Sequence, residues 1–297
     1  MSITLAGVRL KNPVIAASGT VGYGQELAKK TDLNALGALV IKSTTAEPRT
    51  GNPWPTTTNT TAGWLNAVGL KNPGIKNVMT EKLPWLATHY PDLPIVGSVA
   101  GGSMNEYVEV AKQLTTAPNV KFIEVNVSCP NVDHGGLAFG TDPATVQTLT
   151  AKIVAAVDKP VFVKLTPNVT DIVPIAKAAE AGGAAGLVLI NTLLGMEIDL
   201  ATQKPRLAHG TGGLSGQAIH PLAVYMVHQV RQASTLPIVG VGGVFTSKDA
   251  VELMLAGANA VQVGAATFHD PASCANIAAN IPATLAEYDL TWPSATY

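Results

Sequence analysis

Pro237-Ile238-Val239-Gly240-Val241-Gly242-Gly243 is the stretch on which the fold turns. A proline opens it, where a strand loses no ladder bond to the missing N–H. Four mostly β-branched residues follow, and a glycine pair closes the run. Helical spacing over Ser247–Leu255 comes next, and then the pattern returns in Ala260–Val263, followed by Gly264-Ala265. Strand, helix, strand in that order is the signature of a parallel sheet.

Working outward, the same kind of run recurs at Val14–Ala17, Ala38–Ile41, Ile95–Gly97, Phe122–Val125, Val161–Val163 and Leu187–Ile190, which makes eight strands in all. Pro13, Pro94 and Pro160 open three of these. Between them Asn105–Thr115, Pro143–Val157, Asp171–Ala181 and Ala218–Gln232 place apolar residues three and four apart, as helices packed on a barrel do. Asp142-Pro143 and Thr170-Asp171 read as helix starts, Gly182 and Gly257 as helix ends. A single (β/α)8 TIM-barrel domain, which needs about 250 residues, is the architecture expected over residues 1–297.

Composition agrees with a large buried core: 47% of the residues are hydrophobic, 13% charged and 5% aromatic. Nineteen basic against twenty acidic residues give a formal charge of -1. With no Lys/Arg cluster to neutralise phosphates in a row, nucleic acid is not an expected partner. Met1-Ser2-Ile3-Thr4-Leu5 does not read as a signal sequence, and no apolar run has the roughly 18 residues of a membrane span. A cytoplasmic protein that contacts no membrane is expected. Cys129 and Cys274 are the only cysteines, too few for a four-cysteine zinc or iron–sulfur site. The six histidines show no metal-ligand spacing, so no metal site is expected.

Barrel enzymes gather their chemistry where the strands end. Here those positions are Ser18-Gly19, Lys42-Ser43, Ser98, Asn126, Lys164, Asn191-Thr192, Gly242-Gly243 and Gly264-Ala265. Small residues after the last two strands let an anion approach backbone N–H groups, a grip for phosphate. A dinucleotide fingerprint is missing from Gly240–Gly243, which favours a mononucleotide such as FMN over NAD. Lys42 and Lys164 facing a cavity call for an anion; either could instead pair with Glu124, or Lys164 could form a Schiff base in a flavin-free lyase or aldolase. Asn66, Asn126 and Asn191 each donate and accept, as recognition of an imide-like ring requires. Three long connections, Thr44–Gly74, Ser128–Thr141 and Leu193–Gly216, are candidate lids or partner surfaces. Cys129 opens the second of them. An ordinary thiol with a pKa of about 8.5 is about 3% ionised at pH 7, so a base role needs shelter from solvent and a closely held C–H acid. Cys274 lies in an Ala-rich segment and reads as buried and inert. His134, on the second long loop, is placed to touch a substrate.

Asn66-Ala67-Val68-Gly69-Leu70-Lys71-Asn72-Pro73-Gly74, Asn126–Asn131, Phe139–Pro143, Asn191-Thr192 and Gly212–Gly216 resemble the signature segments of the dihydroorotate dehydrogenases, over the chain to about residue 270. Cysteine at 129 is similar to class 1, because class 2 uses serine, and the Asn191–Gly216 and Gly135-Gly136 segments look more like class 1B than the fumarate-using class 1A. The resemblance implies FMN held by Ser18, Lys42, Ser43, Asn126, Lys164, Ile190, Gly216, Gly242, Gly243, Gly264 and Ala265. It implies orotate or dihydroorotate against Lys42, Asn66, Ala67, Val68, Gly69, Leu70, Asn126, Asn191 and Thr192, with Cys129 as base and Lys42 and Lys164 as the charged catalytic members. Ser98 stands where the family commonly has a flavin-contacting asparagine. Gln217 and His220 replace the commoner Pro and Lys, a difference assigned to partner surface rather than to chemistry. Class 1B likeness further implies a homodimer joined by two electron-transfer subunits, a heterotetramer, with FAD and a [2Fe–2S] cluster on the partner passing electrons to NAD+. The alternative within the family is a class 1A-like homodimer that reduces fumarate.

Overall fold

The computed structural model describes residues 1–127 and 136–291, apart from the side chains of residues 136–138. Eight parallel strands close a barrel in sequence order: β1 (Val14–Ala16), β2 (Ala38–Val40), β3 (Ile95–Val99), β4 (Val120–Asn126), β5 (Val161–Lys164), β6 (Gly186–Leu189), β7 (Ile238–Val241) and β8 (Ala260–Val263). Every expected strand is present, with bounds moved by at most two residues. The outer ring is built mainly from α1 (Leu83–His89), α2 (Met104–Thr115), α3 (Pro143–Val154), α4 (Val173–Ala181), α5 (His220–Ala233), α6 (Ser247–Leu255) and α7 (Ser273–Glu287). The architecture is the expected (β/α)8 barrel.

Local chemistry accounts for the helix ends. Asp142 caps α3 by accepting from the Thr145 N–H at 2.9 Å, and Thr246 and Asp249 form a reciprocal capping box on α6. Asp171 sits outside α4, and its Oδ1 accepts from the Val173 N–H at 2.9 Å. Gly182 ends α4 in right-handed geometry, and the left-handed residue is Gly183 at φ 87°. The segment expected as Ala218–Gln232 divides into a 3-10 turn over Gln217–Ile219 and then α5.

Alternation along the strands sorts side chains into two cores. Val14, Ala16, Ile123, Val125, Val163, Val261 and Val263 face the helices. Ile15, Ala38, Val40, Val96, Phe122, Phe162, Val188, Val239 and Ala260 form a separate apolar cluster with Leu5 and Leu10. Those two leucines belong to a hairpin, Ile3–Leu5 with Val8–Leu10, that lies just before β1 and stops the end of the barrel where strands begin. The long connections after β2 and β6 are more ordered than their composition suggests. Leu193–Gly195, Gly212–Ser215, Gly63–Asn66 and Thr57–Thr60 pair in that order as a four-stranded antiparallel sheet. Of the Ser128–Thr141 connection, Gly136–Thr141 is helical, and the expected places of Cys129 and His134 lie outside the described residues.

Candidate active site

At the strand ends a cavity of about 380 Å³ opens between the barrel and the four-stranded sheet. The barrel supplies Ser18, Lys42, Ser43, Asn126, Lys164, Ile190, Asn191, Thr192, Gly242, Gly243, Gly264 and Ala265; the connections supply Asn66, Val68, Leu70 and Gly216. All the residues expected around FMN therefore border one space. Of those expected around the substrate, Ala67 and Gly69 do not: Ala67 packs on Leu65 and Leu207 in a small apolar cluster, and Gly69 turns at φ 72° against Asn52. Alternation along the extended part puts Asn66 and Val68 on the cavity side and Leu65 and Ala67 on the other, and the left-handed pair Gly69 and Leu70, φ 72° and 54°, ends it.

The same parity builds the floor. Phe122, Phe162, Val96 and Ala260 point into the apolar barrel core, and two residues further along each strand come Glu124, Lys164, Ser98 and Gln262, all buried. They are joined. Lys164 Nζ donates to Gln262 Oε1 at 3.3 Å, and Gln262 Nε2 donates to Glu124 Oε2 at 2.7 Å. Ser98 donates to Glu124 Oε1 at 3.4 Å and shares a 2.8 Å hydrogen bond with Ser43. Asn126 Nδ2 donates to Ser43 Oγ at 3.1 Å, and Asn191 Nδ2 donates to Asn126 Oδ1 at 3.1 Å. One chain of hydrogen bonds thus runs from Asn191 to Lys164. Lys164 also stands 3.9 Å from Glu124 Oε1, the ion pair that the lysines' alternative reading had offered. Ser98 is absent from the cavity wall and braces Ser43 and Glu124 from beneath.

Glycine geometry shapes the opposite side. Gly216, Gly242 and Gly243 have φ of 102°, 140° and 65°, values that favour glycine. A Cβ on Gly243 would stand 2.8 Å from the Gly216 carbonyl and 2.7 Å from the His220 Cβ. The wall is therefore backbone, at a place where an anion can meet N–H groups. His220 is not on a partner surface: it is buried, its Nδ1–H donates to the Gly242 carbonyl at 2.8 Å, and its Nε2 lies 3.2 Å from Glu252 Oε2. Gln217 is exposed.

Sequence reasoning missed Thr57, Asn59, Trp64 and Phe268, which also border the cavity. Trp64 lies parallel to Phe245 with centroids 6.3 Å apart and meets Phe268 and His269 edge-on at 5.7 and 4.8 Å. This cluster fastens the antiparallel pair Thr57–Thr60 and Gly63–Asn66 to the connections after β7 and β8. The signal was the second of two tryptophans in a Thr/Asn/Gly-rich loop, Trp64 rather than the exposed Trp54. Asn72, buried, holds the base of that loop by donating to Thr45 Oγ1 and Leu70 O at 2.8 Å each, while its Oδ1 accepts from the Gly74 N–H at 2.9 Å. Nearby, burial pushes the Tyr23 hydroxyl up to about 12, partly offset by its hydrogen bond with Thr44. Burial likewise pushes the Cys274 thiol up to about 12, which fits an inert residue far from chemistry.

A closed parallel barrel whose C-terminal mouth combines a glycine wall, two lysines and a ring of amides has the architecture and the pocket position of the (β/α)8-barrel enzymes. Comparison with known proteins narrows this. The family model described as dihydroorotate dehydrogenase matches residues 1–285, and the chain belongs to that family. It is 71% identical over 291 residues to dihydroorotate dehydrogenase A (fumarate) of Lactiplantibacillus plantarum, covering 98% of this chain and 95% of the relative. It is 58% identical to the catalytic subunit of dihydroorotate dehydrogenase B (NAD(+)) of Latilactobacillus sakei, covering 98% and 94%. A solved structure of DHODH from Eimeria tenella with ferulenol superposes with a TM-score of 0.82 at 20% identity, over 97% of this chain and 85% of the other. At that identity it speaks for the fold alone. No helix among the described residues is long and apolar enough to cross a membrane.

Proposed function

We propose that the chain is a single FMN-binding barrel domain that oxidises dihydroorotate to orotate in the cytoplasm. What carries the reading is the convergence, about one cavity, of every residue expected to hold FMN. The cavity fits the group on its own terms. A phosphate suits the wall of Gly216, Gly242, Gly243, Gly264 and Ala265, where a Cβ on Gly242 or Gly243 would collide with Ala223 or His220. The ring suits the buried, hydrogen-bonding floor. Bound there, FMN supplies a two-electron acceptor for the hydride leaving C6 of dihydroorotate.

The chain's own residues do the rest. Asn66, Asn126 and Asn191 present amides to the ring of the substrate, and Asn191 is held for this by its bonds to Asn126 and to the Thr192 N–H. Lys42 offers a cation to the substrate carboxylate, and Lys164 holds positive charge in the floor against the negative charge that arrives on reduction. Cys129 Sγ takes the proton from C5, a role read from its place in Asn126–Asn131.

The acceptor divides the relatives. Those named for fumarate include matches at 71% and 59% identity, and those named as NAD(+) catalytic subunits lie at 58%, 53% and 52%. The greater identity favours fumarate, reduced without a partner subunit; the NAD+ reading requires the partner carrying FAD and a [2Fe–2S] cluster. Purified protein should be yellow and should bleach when dihydroorotate is added without oxygen. Cys129→Ala should keep the colour and bleach roughly 10²–10⁴ times more slowly, as loss of a general base implies. A colourless protein, or a variant that bleaches at the original rate, overturns the flavin or the base assignment respectively. Turnover with fumarate but not with NAD+ by the isolated chain selects between the acceptors.

A further inference from the structure

Glu124 is a fully buried carboxylate, 0% exposed, at the border of the cavity. An ionised group in such a place persists only when charge and hydrogen bonds compensate it. Two donors do so: Gln262 Nε2 at 2.7 Å and Ser98 Oγ at 3.4 Å. The nearest cation is Lys164, 3.9 Å from Oε1, beyond direct hydrogen bonding, and its ammonium donates instead to Gln262 Oε1 at 3.3 Å. An ammonium can only donate and a carboxylate can only accept. Gln262 is therefore oriented by both, with its oxygen toward the lysine and its nitrogen toward the glutamate, and it keeps the two charges apart while linking them.

We infer that Glu124, relayed by Gln262, is a positioning residue that sets how much positive charge Lys164 presents to the cavity, and thereby the balance between oxidised and reduced FMN bound there. The inference rests on the reading of the cavity as the FMN site. Among the described residues bordering the cavity the charged side chains are Lys42, Lys164 and Glu124, so Glu124 cancels one of two positive charges. Reduction of the flavin by two electrons and one proton leaves one negative charge on the ring, and a fully uncancelled Lys164 would favour that product. Coulombic influence of this kind is strong where water is excluded. In this chain the relay is braced by a serine at position 98, which donates to Glu124 from outside the cavity.

The test compares the FMN-loaded wild type, Glu124→Gln and Gln262→Leu by equilibration with a redox dye, without dihydroorotate. Glu124→Gln keeps shape and hydrogen bonding, because the new amide can accept from Gln262 and donate to the Ser98 hydroxyl. Its ratio of reduced to oxidised flavin at a fixed potential should rise about tenfold, a shift of 29.6 mV for a two-electron couple. Gln262→Leu keeps both charges and removes the relay, so the ion pair closes on itself and the ratio should fall about threefold. Opposite signs are the mark of the relay. Unchanged ratios, or shifts in the same direction, overturn it, because general damage to the floor gives no such opposition. Should Glu124→Gln not be recovered folded, Gln262→Leu decides alone, and an unchanged or raised ratio overturns the inference. A wild type that binds no FMN overturns the flavin reading itself, an outcome distinct from FMN bound in every form with its balance unmoved.

Discussion

Inside one barrel, the end where the strands begin holds Ile15, Val40, Phe122 and Phe162, whereas the end where they finish holds Ser98, Glu124, Asn126, Lys164 and Gln262. Both layers are buried and both come from the same strands. Apolar burial at the first end needs only shape, contributing roughly 25 cal/mol per Å² removed from water. Polar burial at the second needs every partner in place, since each unmet group costs about 1–3 kcal/mol. The difference separates what holds the barrel closed from what it can bind. In β3, β4, β5 and β8 the change from one regime to the other takes two residues: Val96 to Ser98, Phe122 to Glu124, Phe162 to Lys164 and Ala260 to Gln262.

That separation can be broken most forcefully from below. Phe162 meets Phe122 edge-on at 5.6 Å and lies against Gly186. Phe162→Ala should lower the unfolding free energy by about 3–5 kcal/mol, the usual cost of emptying such a site, while the protein that remains folded binds FMN as before. Urea unfolding and flavin titration measure the two quantities. Weakened flavin binding with unchanged stability would show the layers to be one unit.

The complementary substitution acts from above. Gly243→Ala forces a side chain onto φ 65° and toward the Gly216 carbonyl, and strain of about 1–3 kcal/mol should appear as a loss of FMN affinity between roughly fivefold and a hundredfold. Gly183→Ala imposes similar backbone strain at φ 87° on the far side of α4, against Val154 alone, and should leave FMN affinity unmoved. Equal effects from the two would mean that the glycine wall matters only as backbone, with no part in holding a phosphate. Smaller again is Trp64→Ala. Losing its contacts with Phe245, Phe268 and His269 removes about 0.5–1.5 kcal/mol of ring pairing beyond lost area, and FMN should be released faster by less than about tenfold in a dissociation assay.

The barrel was legible because a parallel strand buried on both faces reads as an unbroken apolar run, and prolines marked several starts. Its mouth was legible because polar residues interrupt those runs where strands end. Glu124 and Gln262 were harder to weigh. Each interrupts a strand from within, Glu124 between Ile123 and Val125, Gln262 between Val261 and Val263, and only inward parity reveals that they meet across the barrel at 2.7 Å. The four-stranded sheet was not legible at all. Thr57–Thr60 carries no apolar alternation, and Gly212–Ser215 pairs with Gly63–Asn66 across a separation of nearly half the chain. Asn66 Nδ2 donating to the Gly213 carbonyl at 3.1 Å is one product of that pairing, and no local pattern announces it. His220 was misplaced for a different reason: its departure from the family's commoner lysine was assigned to partner surface, but the side chain is buried and reaches the Gly242 carbonyl beside Gly243.

Cys274 carries the same contrast to its smallest measurable effect. Cys274, 1% exposed among Ile277, Ile281 and their neighbours, belongs wholly to the apolar regime. Burial is the leading cause that raises its thiol from 9.0 to about 12. A raised folded value means that the thiol stays neutral below its unfolded value, so its stabilising burial is intact up to about pH 9. Only above that, through about 12, does ionisation on unfolding begin to erode it. Iodoacetamide at pH 8 should therefore leave Cys274 unmodified in the native protein, read by peptide mass, and Cys274→Ala should leave dihydroorotate oxidation unchanged. Rapid alkylation of Cys274 in the folded chain would place a thiolate where the packing allows only a small hydrophobe, and the division between closing the barrel and serving its mouth would then fail at its simplest point.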